Sequence, residues 1–200
     1  MRRGWPAALE SKGVRLRPLT KRDAAAWREL RASNATWLSR WDATAPTQEV
    51  ARQNTLEGMI RHMVRSARKG ENLPFVIEID GHFVGQVNVS NVVRGSAQFA
   101  SIGYWIDRGH AGRGITTRAV AMAIDHCFFE VKLHRIEIAI RPENTASLRI
   151  VEKLQIPYVG FAPRYLHIDG DWRDHKIFAI TREDVPIGVV HRLDSHQSHQ

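Results

Sequence analysis

Gly109–Thr117 reads GHAGRGITT. It lies between the apolar run Ile102–Ile106 (IGYWI) and a stretch in which Ile115, Ala119, Met122, Ala123 and Cys127 recur at helical spacing. Strand, glycine-rich turn and helix in that order bring several backbone N–H groups and the positive end of a helix to one point, which is a receptor for phosphate. Gly112 and Gly114 lack a Cβ, so the backbone from Ala111 through Gly114, Ile115 and Thr116 can curl close around a diphosphate, and Arg113 adds charge there. The turn lacks the third glycine of a dinucleotide fingerprint and the Gly-Lys-Ser/Thr of an NTPase loop. Its meaning depends on the segments around it.

Upstream, Val14–Leu19 (VRLRPL) alternates apolar and basic and predicts a first strand. Lys21–Arg31 has helical spacing, with Thr20 or Asp23 as its cap. Trp37–Asp42 is an aromatic-rich connector, and Gln48–Lys69 reads as a second helical region. From Leu73 the period changes to two. Phe75–Ile79 and Phe83–Val89 are strands joined at Asp80-Gly81, a hairpin signal, and Gln98–Asp107 is the third strand of this group. Downstream of the turn and its helix come a strand (Arg135–Ile140, RIEIAI), a short helix (Asn144–Leu154) and a second hairpin, Arg164–Ile168 and His175–Ile180, around Asp169-Gly170. The crossovers through the two later helices demand locally parallel pairing. The fold class is therefore α/β (α+β): a mixed, mostly antiparallel sheet with helices on its faces. One domain is expected over residues 1–190, with a polar tail over 191–200 that has no fixed structure. His191, His196 and His199 in that tail lack the partners a metal site would need.

The chain has 200 residues, 43% apolar and 25% charged, as expected of a soluble globular domain with a real core. No apolar run is long enough to span a bilayer, and Met1–Leu9 does not read as a signal peptide. The lone Cys127 excludes an internal disulfide framework and sits on a helix stripe, as a core residue would. A cytoplasmic protein with no membrane association is expected. The net charge of +8 is concentrated partly in Arg61–Lys69 (RHMVRSARK). A solvated helix face together with complementarity to a phosphate ligand accounts for it better than nucleic-acid binding, although a weak RNA or ribosome contact through this surface stays open.

The strand RIEIAI leads into RPENTASLRIVEKL (Arg141–Leu154), in which Asn144 starts a helix and Ser147 follows one turn on. Strand-GxG-helix-strand-N-x-x-S-helix resembles the Gcn5-related N-acetyltransferase (GNAT) superfamily over Val14–Thr181. Within it the chain is most similar to the RimJ and RimL branch, which acetylates the amino termini of ribosomal proteins. GYWI (Gly103–Ile106), the GxG turn, N-x-x-S-x-x-x-x-E-K-L (Asn144–Leu154), LSRWD (Leu38–Asp42) and above all YLHIDGDWRDH (Tyr165–His175) carry that resemblance.

The resemblance implies a twisted sheet splayed at its two central strands and acetyl-CoA as cosubstrate, without a metal. It implies that the turn holds the pyrophosphate, that the backbone of Trp105, Ile106 and Asp107 together with Asn144 holds the pantetheine arm, and that Ser147 protonates the leaving thiolate. The acceptor would be a peptide or protein N-terminus, by direct attack of its amine on the thioester, and the enzyme a monomer or homodimer. The alternatives are an acetyltransferase for a small amine or antibiotic, and a non-enzymatic ribosome- or RNA-associated module.

Five positions depart from the family's pattern. Gly109 opens the turn in place of Gln or Arg, Gln155-Ile156 replaces Gly-Phe after Leu154, Ser101 stands where relatives carry Glu, and Arg164 where they often carry a carboxylate. The general base is thereby left open between Glu137, Asp42, Asp169 and water. An α-amine, with a pKa of about 7.7–8.0 against about 10.4 for lysine, is easier to deprotonate by about 3 kcal/mol. Trp37, Trp41, Tyr165 and Trp172 are either core or the walls of an acceptor groove, with Asp42 or Asp169 pairing the incoming ammonium. His175, Asp174 and Asp171 do not have metal-ligand spacing.

Overall fold

The computed structural model describes residues 4–44, 46, 47 and 56–197. Eight strands form one sheet in the order β1-β2-β3-β4-β5-β6-β8-β7: β1 Leu9–Ser11, β2 Val14–Pro18, β3 Leu73–Ile79, β4 His82–Val93, β5 Phe99–Ile106, β6 Arg135–Ile140, β7 Tyr158–Ile168 and β8 Asp171–Thr181. The helices are α1 Ala24–Ser33, α2 Ala35–Leu38, α3 Leu56–Lys69, α4 Ile115–Phe129, α5 Thr145–Lys153 and α6 Val189–Gln197. The first part of the expected second helical region, Gln48–Thr55, lies outside the described residues.

The strand period of two separates the core into two layers. Along β3, Phe75 and Ile77 face the larger core with Val87, Val89, Ile102 and the buried side of α4, whereas Val76 between them packs with Leu19 and Ile60 of α3 on the opposite face. Helix α4 is buried along most of its length, as its apolar stripe demands, and Cys127 is fully buried in it, with its thiol pushed up to about 12 by that burial. The Asp80-Gly81 turn has positive φ at both residues (49° and 79°), the geometry of a type I′ hairpin. Before α1, the Thr20 N–H and hydroxyl both donate to Asp23 Oδ2 (2.7 and 2.8 Å), so both expected caps act together.

Only the first crossover yields a direct parallel pair. β5 and β6 are parallel from Phe99↔Arg135 to Ser101↔Glu137, after which no partners are shared and the strands diverge. After α5 the chain enters β7, but β8 inserts between β6 and β7, antiparallel to both. The hairpin is also longer than expected, because β7 starts at Tyr158. Gly160 and Pro163 obscured that start, and both sit at or beside register breaks of an edge strand, where a missing N–H is tolerated.

The expected unstructured tail is corrected: Val189–Gln197 is helical. Val185, Val189 and Leu193 recur at helical spacing and are buried among residues of the main core. Asp125 of α4 accepts from the Val189 and Val190 N–H groups (2.6 and 3.0 Å), and Asp194 pairs with Arg118 and Lys12 (2.7 and 2.8 Å). The polar outer face of α6 concealed this anchoring.

Gly85 marks the closest approach between β4 and β5: a Cβ there would lie 2.5 Å from the Trp105 carbonyl oxygen. Gly85→Ala is expected to destabilise by about 1–3 kcal/mol through overpacking. In a domain of this size that lowers the melting temperature by roughly 2–12 °C in a calorimetric scan, and an unchanged melting temperature would disprove the tight approach.

Candidate active site

The divergence of β5 and β6 opens a cleft of about 980 Å³ that runs from the GHAGRGITT turn through the sheet to the α1–α3 side. The Asp107 N–H donates to Val84 O (2.8 Å), which makes that pair a hydrogen-bonded one in the antiparallel β4–β5 ladder. By alternation the amides of Trp105 and Asp107 turn towards β4, and those of Tyr104 and Ile106 turn towards the open edge. The Ile106 carbonyl already accepts from Trp37 Nε1 on that edge (3.2 Å). Of the three backbones expected to hold an extended ligand arm, Ile106 alone has its amide aimed at the cleft. Trp105 lines the cleft with its ring.

Asp107 is a scaffold instead. Its carbonyl accepts from His110 N (2.9 Å), and its carboxylate from Asn34 Nδ2 (2.8 Å), with His110 Nδ1 2.7 Å from its other oxygen. Burial works against its charge, but the His110 and Asn34 hydrogen bonds hold the carboxyl below the usual carboxylate range. Asn34 Oδ1 also accepts from Arg108 N (2.9 Å), so this one side chain pins the α1–α2 corner to the turn. A Cβ at Gly109 would press on the same carboxylate at 3.0 Å, so a side chain at the first position of the turn requires Asp107 to shift.

The turn has the backbone geometry that a phosphate receptor requires. Gly112 and Gly114 both have φ +77°, and a Cβ on either would meet nothing within 4 Å, so the backbone of the turn is open to a ligand at both positions. Gly114 is the N-cap of α4 and offers no side-chain cap, so the first-turn N–H groups at Ile115 and Thr116 are left for a ligand. Ala111, Gly112, Gly114, Ile115 and Thr116 line the cleft, whereas Arg113 faces a separate groove of about 490 Å³ beside Lys12, Arg118 and Lys153.

Across the cleft, Asn144 caps α5: its Oδ1 accepts from Ser147 N (3.1 Å). Asn144 and Ser147 both line the cleft. The Tyr104 hydroxyl is buried with no hydrogen-bond partner of normal geometry, and Ser147 is the polar side chain that bears on it. Burial pushes the Tyr104 phenol up to about 12, so it keeps its proton throughout the neutral range. GYWI pointed to this strand, but nothing in the sequence indicated that the tyrosine would face Ser147.

The other half of the cleft is aromatic. Gln86 Oε1 accepts from Trp27 Nε1 (3.0 Å) and Trp105 Nε1 (3.3 Å), and Arg31 lies 5.4 and 5.3 Å from those two rings. Arg31 is also ion-paired to Asp42, whose carboxyl burial pushes up against the guanidinium's opposing pull. Trp41 stands between Arg40 (4.4 Å) and Arg141 (5.3 Å), and Arg141 bonds Glu143 (3.3 Å). Trp37 and Trp41 are thus walls of the cleft.

The remaining expected site residues are not brought to the cleft. Glu137 is held by Arg135 Nε (2.8 Å) on β6 and does not line it, so it is no candidate base. Tyr165 and Trp172 are about half exposed on the β7–β8 hairpin. Asp169 lies at the tip of that hairpin and acts through its backbone, its N–H donating to Asp42 O (3.1 Å). Thr44 completes the docking with bonds to His167 and Gly170. The hairpin therefore fixes Trp41–Thr44 in place and stays outside the cavity. Among the described residues no cluster of three or more His, Cys, Asp or Glu could hold a metal, and no helix is long and apolar enough to cross a membrane.

Open glycines at a helix N-terminus, a splayed strand edge and an unpartnered hydroxyl beside Ser147 fit the pyrophosphate, amide arm and sulfur of an acyl-CoA in that order. The fold and site define an acyl-CoA-dependent acyltransferase. Residues 14–156 match the model of the acetyltransferase (GNAT) domain, and the chain belongs to this family, whose cosubstrate is acetyl-CoA. It is similar to the crystal structure of Mycobacterium smegmatis RimJ in complex with CoA-disulfide, with 40% identity, a TM-score of 0.88 and 98% of each chain covered. It is 32% identical to the probable N-acetyltransferase YjcK of Bacillus subtilis over 178 residues, 88% of this chain and 98% of that one. It is also 38% identical to the [ribosomal protein uS5]-alanine N-acetyltransferase of Escherichia coli over 101 residues, about half of each chain (50% and 52%).

Proposed function

We propose that this enzyme acetylates the N-terminal α-amine of a ribosomal protein in the cytoplasm. The likeness to RimJ and to the uS5-alanine enzyme supports that acceptor. The observation that carries the reading against a polyamine is electrostatic. Among the described residues, Asp42 and Glu143 are the carboxylates lining the cleft, and each is paired to an arginine, Arg31 and Arg141. The acceptor half offers a polycation no uncompensated negative charge. It offers a single peptide end flat walls from Trp27, Trp37, Trp41 and Trp105.

The amine nitrogen attacks the thioester carbonyl carbon, the C–S bond breaks, and the amine gives up its proton as the thiolate gains one. The Ile106 N–H, aimed at the open edge, is placed to donate to the carbonyl oxygen as charge develops on it. Ser147, with the protonated Tyr104 phenol behind it, supplies the proton to sulfur. Among the described residues no carboxylate in the cleft is free to act as base, so the amine enters neutral and its proton leaves to water. An α-amine meets that condition near neutral pH and a lysine does not.

Short peptides with Ala, Ser, Thr or Met at the first position, assayed beside spermidine and free lysine, test the reading. At least one peptide is expected to be acetylated with a kcat/KM ten or more times that of either amine, rising with pH through about 8 as the α-amine deprotonates. Preferential acetylation of spermidine would overturn it.

A further inference from the structure

We propose that the outer face of α3 binds the phosphodiester backbone of RNA. The inference goes beyond the acceptor and stands on the charge distribution of one helix. The inner face of α3 is committed: Ile60 is buried beneath it, and Met59 and Met63 line the acceptor half of the cleft. Its outer face carries Arg61, Arg65 and Arg68, all exposed. At i, i+4 and i+7 they form one stripe spanning about 10 Å, with neighbours about 6 Å apart.

None of the three has an acidic partner among the described residues. The one acid on α3, Glu57, is paired to Arg28, and Glu71 just beyond the helix is 3.9 Å from Lys69. Exposed Lys21 and Arg22, on the turn before α1 that packs against α3, extend the unpaired charge. A helix face carrying five cations along its length and its flank would not be left uncompensated by the fold's own acids without cost, and a polyanion removes that repulsion.

The chemistry of the face selects among polyanions. From Arg61 to Lys69 its exposed residues are Arg61, His62, Arg65, Arg68 and Lys69, with no apolar side chain among them. A folded acidic protein would need an apolar centre to its interface, which this face lacks, whereas a phosphate backbone is held by charge and bidentate guanidinium contacts alone. A membrane surface is disfavoured because the apolar side of the helix is already buried in the protein. The patch lies on the reverse of the helix whose Met59 and Met63 wall the acceptor half of the cleft, so RNA held there leaves the cleft itself unobstructed.

The test is fluorescence anisotropy of a labelled twelve-nucleotide single-stranded RNA titrated with the full chain from 50 to 200 mM salt. The wild type is expected to bind with an affinity that falls steeply with salt. Arg61→Gln/Arg65→Gln/Arg68→Gln is expected to bind at least tenfold more weakly at 50 mM, with a log–log salt slope shallower by about 2, at about 0.7 per lost phosphate contact. The same variant should keep its acetyl-CoA-induced thermal shift and peptide acetylation, which shows that it is folded. Should it misfold, the single exchanges Arg61→Gln, Arg65→Gln and Arg68→Gln decide the matter: each is expected to make the salt slope shallower by about 0.7, and three unchanged slopes overturn the proposal. Unchanged RNA affinity in the Gln variant overturns the proposal, as does a polyglutamate peptide of equal charge that competes with equal affinity. Loss of peptide acetylation by the wild type with RNA binding intact would instead count against the proposed acceptor.

Discussion

Gly112→Trp is expected to abolish the stabilisation that acetyl-CoA confers on this protein. At a hundredfold excess of ligand over Kd, binding stabilises by about 2.7 kcal/mol, which in a domain of this size raises the melting temperature by roughly 5–10 °C. Position 112 is exposed, has φ +77°, and faces space that nothing in the protein occupies within 4 Å of an added Cβ. An indole there fills the place of the pyrophosphate, and the shift should fall to about 1 °C or less. The substitution also strains the backbone by about 1–2 kcal/mol and lowers the melting temperature without ligand. Gly95→Trp controls for that cost: Gly95 has φ +70° and equally open surroundings, but it lies in the β4–β5 connection and lines neither the cleft nor the adjoining groove. It should lose a similar amount of stability and keep the full shift. A Gly112→Trp protein that still responds to acetyl-CoA would remove the turn from the cofactor site.

The donor half of this site is local in sequence, and for that reason it was legible. Gly112, Gly114 and the start of α4 are consecutive, and the conformations that make them a phosphate receptor are properties of glycine and of helix ends. Asn144 and Ser147 are likewise neighbours on one turn, and their capping geometry appears as read. The acceptor half is assembled from distant segments, and here residue type misled. Glu137 has the right chemistry for a base, but the i, i+2 spacing on β6 puts Arg135 on the same face, where it takes the carboxylate. Tyr165 and Trp172 belong to the string most characteristic of the family, yet they support the cleft from outside through the hairpin tip. Conversely Arg31, Gln86 and Asn34 looked like ordinary helix and strand positions. Their roles arise because β4, α1 and the turn converge, which no pairwise spacing reveals.

Departures from the family's pattern resolve in the same way. Gln155 stands where the family's pattern has glycine, and it adopts the left-handed conformation that glycine favours (φ 52°). The Ile156 N–H still returns to Val151 O (2.9 Å), so the turn after α5 survives the substitution at the expense of some backbone strain. Ser101 leaves β5 without an acid at that position, and the paired states of Asp42 and Glu143 mean that among the described residues no other carboxylate replaces it within the cleft. The missing base and the preference for an amine that enters neutral are thus two aspects of one electrostatic arrangement.

Ser147→Ala is expected to lower kcat by about a hundredfold, at the lower end of what a general acid contributes, while the KM for acetyl-CoA stays within about threefold. The asymmetry follows from where the residue acts. The Asn144 cap is made to the Ser147 backbone N–H, so alanine retains it and α5 keeps its start. What disappears is the hydroxyl that bears on the Tyr104 phenol and, in the proposed reaction, donates to sulfur. That phenol, pushed up to about 12 by burial, cannot ionise near neutrality and has no other partner of normal geometry. Without Ser147 it is left behind a methyl group, and the departing thiolate must find a proton in water. Tyr104→Phe provides the complementary measurement. If the phenol backs Ser147, the single variants each lose rate and the double variant loses little more than Ser147→Ala alone, because both remove the same relay. Independent losses that multiply in the double variant would place the two hydroxyls in separate roles. A kcat unchanged in Ser147→Ala would take Ser147 out of the chemistry altogether and leave protonation of the thiolate to solvent.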